Sequence, residues 1–91
     1  MEFSRNGDTL KIRGSINNQT FDAALYQLWT QQFSGSLKTI DLQDAKEIDS
    51  VCISLLVDAV RQQKEPIAII NAPESVRTLL SIYHLKSMIS A

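Results

Sequence analysis

The residues best placed to do chemistry are Ile48-Asp49-Ser50, where a carboxylate and a hydroxyl stand at the mouth of an apolar stretch of helical character. Backbone N–H groups at a helix start lack intrahelical partners, so Asp49 or Ser50 can serve as the N-cap. The same position suits a second role, in which Ser50 is a contact hydroxyl or a phosphoacceptor. A phosphate there would be held by the free N–H groups and the helix dipole, and would add about −1.5 to −2 charges to any docking surface. Cys52 follows closely, but it has no basic neighbour in sequence and sits in an apolar run, so it reads as an inert buried thiol. His84 falls where a third helix should stop and reads as a cap in the left-handed region rather than a ligand. Asp41 and Asp44 have no nucleophile, metal set or phosphate-cradling glycine loop beside them, so they make no catalytic pair. No active site, cofactor site or metal site is expected, and the chain reads as a non-enzyme.

Composition narrows the classes further. Ninety-one residues suit one domain, read here as 1–91. With 44% hydrophobic and 21% charged residues, and only three Gly and two Pro, the chain is of the globular type. Nine Lys plus Arg against ten Asp plus Glu leave a net charge of −1, without the positive field that phosphate-backbone binding needs, so no nucleic-acid partner is expected. One cysteine and one histidine give neither a disulfide framework nor zinc spacing, which fits a reducing, cytoplasmic compartment. The opening MEFSRNGDTLKIRG has no apolar core of signal-peptide length, and no window approaches the ~20 apolar residues of a membrane span. Membrane association is expected only through a partner.

The elements that must position Ser50 follow from periodicity. Residues 3–14 read as two short alternating runs flanking Asn6-Gly7, a strand–turn–strand in which Leu10, Ile12 and Ile16 share a face while Lys11 and Arg13 point to water. Gly14 is expected to end or bulge the second strand. From Thr20 the period changes: Phe21, Leu25, Leu28, Trp29 and Phe33 form a helical stripe, with Thr20 or a preceding Asn as N-cap, Asp22 at the positive end of the dipole and Gly35 as terminator. Trp29 is read as core. Thr39–Leu42 is a strand, Gln43–Asp49 a polar loop, and Val51, Cys52, Ile53, Leu55, Leu56, Ala59 and Val60 mark a second helix closed by Pro66. Ile67–Ile70 is an apolar strand. Pro73 opens a third helix with Val76, Leu79, Leu80 and Tyr83 inward, and the tail 85–89 is open between a short edge strand and irregular packing. This order gives an α/β domain with a mixed sheet: an antiparallel N-terminal hairpin, parallel strands joined by right-handed crossovers, about three helices, and part of the sheet uncovered on one face.

Thr39-Ile40-Asp41-Leu42, a spacer ending in Glu47-Ile48, then Asp49-Ser50 and Ile53-Ser54-Leu55-Leu56 resemble the signature of STAS domains, named for sulfate transporters and anti-sigma-factor antagonists. Gly7-Asp8-Thr9-Leu10, Gly14, Leu28-Trp29, Pro73-Glu74-Ser75-Val76 and Tyr83-His84-Leu85 also fall in family-like places, so the resemblance spans nearly the whole chain. Within the family these residues look most like the small stand-alone STAS subunits of phospholipid-transporting ABC systems in Gram-negative bacteria. The resemblance implies a STAS fold and a non-catalytic adaptor that binds and regulates the transporter's ATPase, with the permease in the same complex, at the cytoplasmic side of the inner membrane. It places the partner-binding surface at Asp49, Ser50, Ile53 and Ser54, flanked by Val51 and Asp58 as exposed members. The alternative it carries is an anti-sigma-factor antagonist, partnered by an anti-sigma factor or serine kinase and switched by phosphorylation of Ser50. One departure bears on that alternative: Val51-Cys52 stands where family members commonly have Ser-Gly or Gly-Gly, and Val51 adds β-branched bulk.

Overall fold

The computed structural model describes residues 1–33, 37–63 and 66–82. The expectations for Gly35, Tyr83, His84 and the tail 85–89 lie outside the described residues. The chain begins with strands β1 (Glu2–Asn6) and β2 (Thr9–Ser15), paired antiparallel with Asn6 opposite Thr9. The two loop residues are therefore Gly7 and Asp8, one step later than an Asn6-Gly7 turn. Gly7 sits at φ +62°, and a positive φ at the first loop position is the requirement of a type II′ hairpin turn, which glycine meets without a Cβ clash.

Helix α1 (Ala23–Gln31) follows, capped by Asp22, whose carboxylate accepts from Leu25 N–H at 2.8 Å. Thr20 is not the cap: its hydroxyl donates to the Ser15 carbonyl at 2.9 Å and so ties the approach to the helix back to the end of β2. Then come β3 (Thr39–Asp41), β4 (Ala45–Lys46), α2 (Ser50–Gln62), β5 (Ala68–Ile70) and α3 (Glu74–Ile82). Pro73 stands just ahead of α3, its carbonyl accepting the first intrahelical bond from Arg77 N–H at 3.1 Å.

The sheet has five strands in the order β1-β2-β3-β5, with β4 pairing β2 beyond the end of β3. Every contact after the hairpin is parallel. β4 lies within the segment expected to be a plain polar loop. It forms where β2 has run past β3, with Gly14 and Ser15 opposite Ala45 and Lys46. Gly14 adopts φ +84° at that handover and does not end the strand, which runs on through Ser15.

One face of the sheet carries Leu10, Ile12, Ile40 and Ile69, all buried in a single cluster with Trp29 of α1, Cys52, Leu55, Leu56 and Ala59 of α2, and Val76 and Leu80 of α3. Successive side chains of a strand alternate in direction, so Thr9, Lys11, Arg13, Asp41 and Ile70 share the other face. They are half-buried or exposed, and no described helix covers them. This α/β arrangement, a mixed sheet with an N-terminal hairpin and three helices, is the one expected from the sequence and is consistent with a STAS-like fold.

Trp29 anchors α1. It is fully buried between Phe3 and Phe33, with ring centroids 5.6 and 5.0 Å away. Truncation of such a residue to alanine costs about 3–5 kcal/mol. Leu28, expected on the same stripe, is 48% exposed, because one residue step turns it about 100° away from Trp29 and a nine-residue helix has only a narrow buried edge. Val60 is similarly turned outward, next to the buried Ala59. No described helix is long and apolar enough to cross a membrane.

Candidate functional site

The second helix starts at Ser50, and the residues before it fix how that start is presented. Glu47 has φ +45°, a left-handed conformation that costs a side-chain-bearing residue about 1–2 kcal/mol. Neighbours hold it there: Asn17 Nδ2 donates to the Glu47 carbonyl at 3.0 Å, and Ser15 Oγ donates to its carboxylate at 3.3 Å. On either side, Ile16 N–H donates to the Lys46 carbonyl and Asp49 N–H to the Ile16 carbonyl, each at 3.1 Å. The chain therefore enters α2 along a path laced to residues 15–18.

Asp49, not Ser50, is the N-cap. One carboxylate oxygen accepts from Val51 N–H at 2.8 Å and the other from Asn18 N–H at 3.2 Å. One side chain thus satisfies an orphan donor of the helix and clamps that helix to the loop after β2. Ser50 is left exposed as the first helical residue. One turn later Ser54 is also exposed, its hydroxyl directed to the Ser50 carbonyl at 3.4 Å.

The other predicted partner-binding residues divide. Val51 and Asp58, expected to be exposed, are half-buried. Ile53 is 5% exposed and belongs to the core, although its edge reaches the surface described below. The Asp58 carboxylate is engaged on both oxygens. Oδ2 accepts from the Trp29 indole N–H at 2.9 Å and from Gln62 Nε2 at 2.7 Å, while the Tyr26 hydroxyl lies 3.5 Å from Oδ1. Asp58 thereby joins α2 to α1 by satisfying the one polar side-chain atom of the buried Trp29.

Between these helices runs an open groove of about 830 Å³. Phe21 and Tyr26, stacked edge to face at 6.0 Å, line one side; Ser50, Ser54, Val57 and Arg61 of α2 are on the other. Ser50 and Ser54 were legible in the motif. Phe21, Tyr26, Val57 and Arg61 were not assigned to the site, although the 4-3-4 spacing of 50, 54, 57 and 61 marks them as a second stripe on α2, distinct from the core stripe of Cys52, Leu56 and Ala59.

Cys52 is fully enclosed, and burial, with a smaller effect from the Asp49 carboxylate, pushes its thiol up to about 12. At neutral pH it is a protonated thiol, unsuited to nucleophilic attack. Asp41 and Asp44 serve separate structural ends: Asp41 accepts from Gln43 N–H and Asn71 Nδ2, and Asp44 pairs with Lys11 at 3.0 Å. No group of three His, Cys, Asp or Glu side chains among the described residues is placed to hold a metal ion. The groove offers a hydroxyl-bearing helix start, an apolar bed and a cation at the far end. No protein-family model matches the chain, and no curated protein matches it.

Proposed function

We propose that the chain is a non-catalytic STAS-type subunit of the MlaB kind, which binds and regulates the ATPase of an ABC-type phospholipid transporter serving outer-membrane lipid asymmetry. It works on the cytoplasmic side, peripheral to the inner membrane through the ATPase and permease. The observation that carries this reading is the exposed Ser50 at the start of α2, held by the Asp49 clamp beside the groove. Regulation then requires tighter binding to one ATPase state than to another, since a ligand with equal affinity for both shifts nothing.

A second reading, an anti-sigma-factor antagonist switched at Ser50, is favoured by one observation: Ser50 is exposed at the start of α2. Affinity purification of the tagged chain from its native host separates the two. The transporter reading expects an ATPase and a permease to copurify with unmodified chain; the switch reading expects a serine kinase or anti-sigma factor and phosphate on Ser50. Recovery of neither set, together with a wild-type phenotype for Ser50→Glu, contradicts both.

A further inference from the structure

The outward stripe of α2 has its own logic. Ser50, Ser54, Val57 and Arg61 follow one another at intervals of four, three and four, which is the spacing of a helix–helix seam. The core-facing stripe uses Cys52, Leu56 and Ala59; the second stripe is only partly covered by the described chain, with Val57 half-buried against the core and Ser50, Ser54 and Arg61 exposed. Phe21 and Tyr26 widen the second stripe into a groove with an apolar bed.

Its charges are unequal in status. The groove is lined by two charged side chains, Asp58 and Arg61. Asp58 is already committed to α1 and to Gln62 through its bonds to Trp29, Tyr26 and Gln62. Arg61 is exposed, and no carboxylate among the described residues lies against it. Among the described residues the groove therefore presents an apolar track with the exposed, unpaired Arg61 guanidinium at its end and the Asp58 carboxylate, held by neutral donors, three residues before it.

We infer that the groove receives an amphipathic helix of the partner, with its apolar side along Val57, Phe21 and Tyr26 and an acidic residue paired with Arg61. This rests on the reading of the chain as a docking subunit and adds the chemistry of what docks. The guanidinium can take a carboxylate through two parallel hydrogen bonds, which fixes the register of the docked helix as well as its affinity. Ser50 and Ser54, being small, leave the N-terminal end of the track open to close backbone approach.

The test uses the isotope-labelled chain and synthetic amphipathic helices of about 18 residues, long enough to hold helical structure. The peptides differ only in having Glu, Gln or Lys at the end of the apolar seam. The Glu peptide is expected to shift the resonances of Phe21, Tyr26, Val57 and Arg61 and to bind up to about fivefold more tightly than the Gln peptide, the upper range for an exposed ion pair. In Arg61→Glu the order should invert, with the Lys peptide binding best. Shifts elsewhere on the surface, equal affinity for the three peptides, or Arg61-dependent binding to phosphatidylglycerol vesicles in place of the peptides would overturn the inference. A parallel measurement with the transporter ATPase keeps the two readings apart. If the ATPase binds and Arg61→Glu binds it equally well, the acidic-helix inference fails and the docking function stands. If the ATPase does not bind while the peptides show the charge order, the transporter reading fails and the groove's preference stands.

Discussion

Removing the Asp58 carboxylate tests how the groove is built. In Asp58→Ala the Gln62 amide and the Tyr26 hydroxyl are exposed and recover water, so the loss concentrates on the indole N–H of Trp29, a fully buried residue. A hydrogen bond to a charged acceptor contributes about 1.5–3 kcal/mol, and an orphaned buried donor bears its full desolvation cost. The gain in helix propensity from Asp to Ala returns about 0.5 kcal/mol. The expected net loss is about 2 kcal/mol, or a fall in Tm of roughly 8–16 °C for a domain of this size. Asp58→Asn keeps an acceptor and should lose about half as much. Urea unfolding followed by far-UV circular dichroism is the appropriate assay, because Trp29 is the single tryptophan and fluorescence disappears in the control variant Trp29→Phe. In that background there is no N–H to orphan, and Asp58→Ala should cost no more than about 0.5 kcal/mol, giving a coupling near 1.5 kcal/mol. Equal costs of Asp58→Ala in both backgrounds would refute the assignment of Asp58 as the link between α1 and α2.

Three further outcomes follow from the same geometry. Asp49→Ala loses both the cap and the Asn18 clamp and should destabilise by about 1–2 kcal/mol, whereas Asp49→Ser keeps the cap and should lose roughly half of that, measured by thermal unfolding. Glu47→Val places a β-branched side chain at φ +45° and should cost about 1–2 kcal/mol, while Glu47→Gly should be close to neutral; similar stabilities for the two would show that Glu47 is not held in the left-handed region. For Cys52 the folded thiol is raised to about 12 from an ordinary value of 9.0, so its contribution to stability is complete below pH 9 and is lost as pH rises through the folded value. An aromatic disulfide reagent at pH 8 should therefore label Cys52 only at the rate of unfolding, and rapid labelling of the native protein would contradict its burial.

Where sequence patterning succeeded, the cause was strong local periodicity. β2 alternates Leu10 and Ile12 with Lys11 and Arg13, and α2 repeats apolar residues at helical intervals, so side-chain direction followed from residue order. Most of the failures have tertiary causes. β4 has no apolar alternation in Ala45-Lys46; it exists because β2 outruns β3 and leaves backbone groups to pair. Thr20 and Asp22 both have good capping chemistry, and the choice went to Asp22 because the Thr20 hydroxyl is taken up by the turn before the helix, donating to the Ser15 carbonyl and accepting from Asn17 N–H. Asp58 reads as a polar residue on the outer side of a helix, and only the arrival of Trp29 from 29 positions away gives it a buried donor to satisfy. In the site, Asp49-Ser50 was visible because capping is local. The groove was not, since one of its sides comes from Phe21 and Tyr26, which precede and belong to another helix.

The central claim is that the chain docks on a transporter ATPase through the start of α2. Its most direct measurement is the affinity of the purified chain for the ATPase subunit of the host's phospholipid ABC transporter, compared among wild type, Ser50→Arg and Ser4→Arg. Ser4 lies on β1, exposed and remote in sequence from the groove, and serves as a control for added charge. With folding of each variant verified by circular dichroism, wild type and Ser4→Arg should bind alike, and Ser50→Arg should bind about tenfold or more weakly, the size expected for a residue at the centre of an interface. Undiminished binding by Ser50→Arg, or no binding by the wild type, would contradict the account.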